Sequence, residues 1–163
     1  MQKNSLKTIL GLHFLVFIWG FTSILGALIT LDSISLVWYR LTIASFLIFF
    51  LFKKKVKLKE IFFCSLGGML ITIHWILFFH SIKISSVSVA VIMLSTGALM
   101  TSFLEPIFFN RKIYPYEFII GLLVVSGIYF IFKSESSSSQ GILIALLATF
   151  FSVLFAILNS YLV

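Results

Sequence analysis

Residues 84–112 read ISSVSVAVIMLSTGALMTSFLEPIFFNRK. From Ile84 to Phe109 the stretch carries one ionisable side chain, Glu105, and then meets Arg111 and Lys112. A spanning helix needs about 20 mostly apolar residues at ~1.5 Å rise to cross a hydrocarbon core of ~30 Å. The stretch is long enough, lacks sustained period-two alternation, and is therefore predicted to be a membrane-spanning helix rather than a strand.

The same pattern recurs along the chain. Of 163 residues, 61% are hydrophobic and 10% charged, with a mean hydropathy of +1.18. A soluble domain of this size has too much surface to present so few polar groups to water. Six spans are predicted, at about 9–31, 34–52, 61–79, 84–109, 116–132 and 141–163. The fold class is thus all-α integral membrane, an antiparallel multi-helix bundle whose short connections, LDSIS, HSIKIS and NRKIYPY, make successive helices neighbours. The N-terminal apolar run exceeds the ~7–15 residues of a signal-peptide core, so it reads as an uncleaved first span.

The formal charge of +7 does not form a nucleic-acid patch, because the charges lie in short breaks between apolar runs. Nine of the twelve basic residues fall on one side: Lys3, Lys7, Lys53, Lys54, Lys55, Lys57, Lys59, Arg111 and Lys112. The positive-inside rule places that side, and the N-terminus, in the cytoplasm. The single cysteine, Cys64, excludes an internal disulfide and reads as a small packing residue.

Several polar residues inside the spans are candidates for function. Ser88, Val91, Ser95, Ala98, Ser102 and Glu105 follow helical spacing along one face, either a packing seam or a cavity wall. Glu105 closes that stripe about one turn from the cytoplasmic edge, as a buried proton-exchanging carboxylate or an interfacial one. Pro106 is expected to bend the helix and free a carbonyl near Ser102. Arg40, early in the second span, either snorkels outward or attracts an anionic substrate group. Trp19 and Ser23 lie in the first span, Trp19 as a packing ring or a face for an apolar substrate. His74 and Trp75 sit in the third span, His74 as a proton relay or as a side chain bonded to a neighbouring helix. His74 and His80 diverge around the helix by ~120°, poor geometry for a metal. No nucleotide loop, zinc-helix motif or nucleophile elbow occurs, so neither enzyme chemistry nor a resident cofactor is expected.

FIWGFTSI in the first span, WYRLTIASFLIFFLF in the second, HSIKISSVSVAVIMLSTGAL leading into the fourth, and Gly121 and Gly127 in the fifth form a succession. That succession resembles the first half of an EamA-type member of the drug/metabolite transporter superfamily. The resemblance implies ten helices in two five-helix repeats of inverted topology. Residues 1–135 would form the first repeat and 141–163 the opening helix of a truncated second. It further implies a secondary transporter, an exporter of small organic metabolites or drugs by alternating access, in the cell (cytoplasmic, inner) membrane. Its partners would be the lipid bilayer, a small-molecule substrate, and the missing second repeat or another copy. The other reading is a non-transporting membrane module or half-transporter. Proton coupling through Glu105 or His74 is the coupling that the residues allow. The chain departs from the family pattern at STG, where the family often carries proline, and at FNRK, where it often carries GER or GEK.

Overall fold

The computed structural model describes residues 6–51, 57–112, 114–134 and 139–162. Within them the chain forms seven helices: α1 (Leu6–Leu28), α2 (Ser33–Leu51), α3 (Leu58–Ile84), α4 (Val87–Ser95), α5 (Gly97–Phe109), α6 (Pro115–Ser134) and α7 (Ser139–Leu162). Taken together, α4 and α5 cover one span, so five helical runs are long and apolar enough to cross a membrane. Helix α6 adds a shorter apolar helix over Pro115–Phe130. The expected all-helical membrane bundle is what the structure shows. The expected basic positions Lys3, Lys53, Lys54 and Lys55 lie outside the described residues, as does 135–138 of the KSESSSSQ connection.

The bundle is organised around α3 and α7. Helix α7 carries Gly141, Ala145, Ala148 and Thr149 on one buried face, a ladder of small residues that lets backbones approach closely. A side chain at Gly141 would overlap Ser85, beyond the end of α3, while Gly67 near its start faces Phe155 and Leu158. Midway, His74 of α3 reaches the backbone of Ala148. Helix α7 therefore runs antiparallel to α3. A hydroxyl contact from Thr149 to Met93, together with Gly141 beside Ser85, sets it alongside α4 in the same direction.

Successive helices are not always neighbours, contrary to the expectation from short connections. Helix α1 packs on α3 and α4, and α6 on α4 and α5, whereas α7 crosses to α3, α4 and α5. The reason is complementarity of shape. Gly26 of α1 lets the Phe79 ring of α3 lie against its backbone, so any Cβ there would collide. Away from this contact α1 is exposed from Leu6 to Phe21, and α2 from Thr42 to Leu51. Both helices thus join the bundle only near the connection that holds Asp32. Cys64 is exposed on α3, so it does not pack as expected from its apolar run.

Side chains fix that connection. The Asp32 carboxylate accepts from the backbone N–H of Ile34 and Ser35 at 3.1 and 3.0 Å, capping α2. Hydrogen bonds from the Ser35 side chain and, next, its backbone N–H hold the Asp32 carboxyl below the usual carboxylate range. Lys83, in the last turn of α3, donates to the Ile29 carbonyl at 2.8 Å, just past the end of α1. A cation at that position complements the dipoles of two helix ends. At the opposite end Glu60 accepts from the Lys57 N–H at 3.0 Å and caps α3.

Two outcomes follow. Ala148 has no exposed surface and Leu147 is 44% exposed, so Ala148→Leu should destabilise the bundle by about 1–3 kcal/mol. Leu147→Ala should change it by no more than about 0.5 kcal/mol, both read by unfolding in mixed micelles. The depressed Asp32 carboxyl adds stability that is full above its ordinary value and lost as pH falls through the lower folded one. Thermal stability should therefore fade below about pH 4, and Asp32→Asn should flatten that acid limb.

Candidate functional site

Three polar clusters lie at successive depths. The first lies in the half of the membrane that holds Asp32. Arg40 of α2 sets its guanidinium carbon 5.1 Å from the Trp75 ring centre and 5.2 Å from that of Phe79, both on α3. Trp75 and Phe79 are one helical turn apart, so two ring faces meet one cation. Phe79 is buried, and Arg40 and Trp75 are half-buried.

The second cluster is at mid-span. The fourth span is interrupted at Thr96, between α4 and α5. The Thr96 N–H turns back to the Met93 carbonyl at 3.1 Å, one residue short of a regular α-helical bond. The Thr96 hydroxyl donates to the same carbonyl at 2.6 Å. From α7, the buried Thr149 hydroxyl lies 3.1 Å from Met93 O and 2.9 Å from Ala145 O, one proton shared between two carbonyls. A Cβ added at Gly97 would stand 3.3 Å from Thr149 Cγ2, so the smallest residue sits where the broken span meets α7. The break falls at the STG triplet of residues 95–97, and not at Pro106, which lies inside α5. The interruption thus lies ten residues before Pro106. Two threonines re-satisfy the backbone there, as membrane depth requires.

His74 belongs to this level. Its Nδ1 is 2.8 Å from the Ala148 carbonyl, and its ring stacks on Phe78 at 5.8 Å. A carbonyl only accepts, so Nδ1 carries the hydrogen. His74 is buried and bridges α3 to α7, which is the neighbouring-helix alternative raised by the sequence.

The third cluster is at the end that carries Arg111. Arg111 Nη1 donates to Glu117 Oε1 at 2.7 Å, and its Nε lies 3.3 Å from Glu105 Oε2. The hydrogen bond to Glu117 holds the Arg111 guanidinium above its ordinary range, and the Glu105 charge adds to this. Asn110, the one described residue other than glycine with positive φ (49°), ends α5 in the left-handed region and turns Arg111 back between the two carboxylates. Glu105 and Glu117 thus face the Arg111 cation from the helices on either side. A cavity of about 240 Å³ opens beside this pair between α5 and α6, lined in part by Thr101, Ser102, Arg111, Glu117 and Gly121. A Cβ at Gly121 would overlap the end of the Leu99 side chain, which would have to shift. A second cavity of about 360 Å³ is apolar and lies between α3, α5 and α7, with Phe63, Phe109 and Tyr161 among its walls.

The eight sequence candidates therefore separate. Arg40 joins Trp75, while Ser102 shares a cavity with Arg111, which also pairs with Glu105. Trp19 is 72% exposed on α1 and joins none of the clusters. Ser23 is buried and bonded to the Gly20 carbonyl of its own helix. Ser95 is exposed and bonded to Ile92 O. The stripe from Ser88 through Val91 and Ser95 to Ala98 faces away from the buried side of α4, which is formed by Val89, Ala90 and Met93. Thr96, Phe79, Arg111, Glu117 and Thr149 were not among the candidates. The glycine and alanines of GILIALLATF were a legible sign of a seam at Thr149, but what they pack against is set by the fold.

The model of the EamA-like transporter family matches residues 6–133. The chain belongs to the EamA-like transporter family. No curated protein and no solved structure matched it. Membership makes it a multi-pass membrane protein of a transporter family rather than of an enzyme family.

Because Arg111 joins α5 to the start of α6, Arg111→Gln should speed amide hydrogen exchange in the first turn of α6. Lys112→Gln, next to it and exposed, should leave that exchange unchanged.

Proposed function

We propose that this chain serves as a secondary transporter of small organic solutes by alternating access, moving metabolites or drugs outward across the cytoplasmic membrane. The basic residues at the Lys57 and Arg111 end support a cytoplasmic placement of that end. The observation that carries the reading, within the transporter family, is the interrupted fourth span. Thr96 keeps helical dihedrals (φ −65°, ψ −13°) but tightens one backbone bond. A local irregularity of this kind inside a span is tolerated where protein or a cavity surrounds it, as in the helices from which transporters build their sites. Here the interruption is held from α7 by Thr149, so movement between α7 and the fourth span would act on it directly.

A second reading, in which another set of helices completes the pathway, is favoured by the outward-facing stripe of Ser88, Ser95 and Ala98. Small and polar groups on an open helix face are better matched by protein or water than by lipid tails. A further repeat or another copy would supply the opposite wall. Native mass measurement and cross-linking from Ser95→Cys test this: an assembly cross-linked through that position is expected, and a monomer alone removes the reading.

Proton coupling is assigned to Glu105, the in-span carboxylate that pairs with Arg111. Proteoliposomes loaded with a radiolabelled mixture of amino acids and organic acids should lose label faster than empty-membrane controls when a pH gradient is imposed. Efflux equal to the controls removes the transporter reading. Efflux by Glu105→Gln should lose its response to the gradient, and an unchanged response removes Glu105 from coupling.

A further inference from the structure

Each of the four carboxylates among the described residues has a local task. Asp32 caps α2, Glu60 caps α3, and Glu105 and Glu117 hold Arg111. Arg40 is left with no carboxylate and no hydrogen-bond acceptor among the described residues; its contacts are the faces of Trp75 and Phe79. Ring faces attract the positive charge, but they leave the N–H groups at the edge of the guanidinium plane unsatisfied. Those nitrogens are not sealed inside the protein. Among the described residues the buried side-chain nitrogen without a hydrogen bond is Nε of Arg111, and Arg40 itself is half-buried.

Depth sharpens the point. Arg40 is seven residues into α2, ~10 Å along the helix from its start. Trp75 and Phe79 lie ~13 and ~8 Å before the end of α3. The guanidinium is therefore level with its own backbone and does not snorkel toward the headgroups. A cation at such depth is unfavourable without a partner. A planar guanidinium with a free edge matches an oxyanion, through two parallel N–H···O bonds.

We propose that Arg40 is an oxyanion-binding residue, with Trp75 and Phe79 as its support, and that the group it receives is the carboxylate or phosphate of a small organic ligand or of a lipid headgroup. The inference deepens the transporter reading and rests on it for treating the ligand as cargo. Binding is read here without transport, so each can fail alone.

The test uses the full 163-residue chain in dodecyl maltoside micelles. Trp19→Phe and Trp38→Phe leave Trp75 as the reporter beneath the guanidinium. One arm adds phenylacetate, with phenethylamine as the cationic counterpart; the other adds phosphatidylglycerol. Saturable change in Trp75 emission with phenylacetate identifies a soluble ligand, and change with phosphatidylglycerol alone identifies the lipid; either supports the site. Arg40→Gln should weaken the effective anion by about tenfold or more, and Arg40→Lys, which keeps charge but not the planar fork, should fall between. An equal response to phenethylamine, no response to either anion, or the same affinity in both Arg40 variants overturns the proposal. The comparison of phenylacetate with phenethylamine needs no Arg40 variant, so the test stands even where Arg40→Gln does not fold.

Discussion

The seam between α3 and α7 holds the structure together, and backbone hydrogen bonding controls it. Inside a bilayer a carbonyl without a donor has no water to turn to. Small residues on α7 bring its backbone near enough for His74 to donate to Ala148 O across 2.8 Å. The same closeness brings Thr149 to the Met93 carbonyl. One helix face thereby joins two others and supports the place where the fourth span breaks. Apolar area alone would not choose this partner, since lipid tails solvate a leucine as well as a neighbouring helix does.

Charge is used with equal economy. In a chain with twelve basic and five acidic residues, the described carboxylates all serve helix caps or Arg111. At the Arg111 end, anions flank a cation and tie α5 to α6. In the other half of the membrane a cation rests on two aromatic rings. The two ends of the bundle are thus held by different chemistry. At the Arg111 end the contacts are directional N–H to carboxylate pairings, whereas the Arg40 guanidinium lies over ring faces that accept charge without fixing its N–H groups.

Much of this was legible before any coordinates. Runs of about 20 apolar residues announced the spans, because the bilayer sets helix length directly. Glu105 was recognisable as lying near a helix end, from its distance to Arg111 and Lys112. The alternatives for His74 and Arg40 could be stated but not decided, because each depended on what stood opposite. His74 and Trp75 are adjacent in sequence, yet one bonds to α7 and the other supports a cation from α2. The break at Thr96 was harder to see. Proline is the familiar helix breaker, so Pro106 drew the expectation, while a threonine and a glycine facing a second threonine produced the interruption.

By itself, then, the sequence determined the solvent, the approximate number and ends of the helices, the side on which the cations gather, and the resemblance to a transporter repeat. These depend on composition and on local spacing along one strand of chain. Tertiary structure alone decided that α7 is central rather than appended, that Cys64 and Trp19 face outward, and that Arg40 has rings instead of carboxylates beside it. Apolar helices are nearly interchangeable to lipid, so which faces meet is settled by glycine-sized gaps and a few hydrogen bonds between residues distant in sequence.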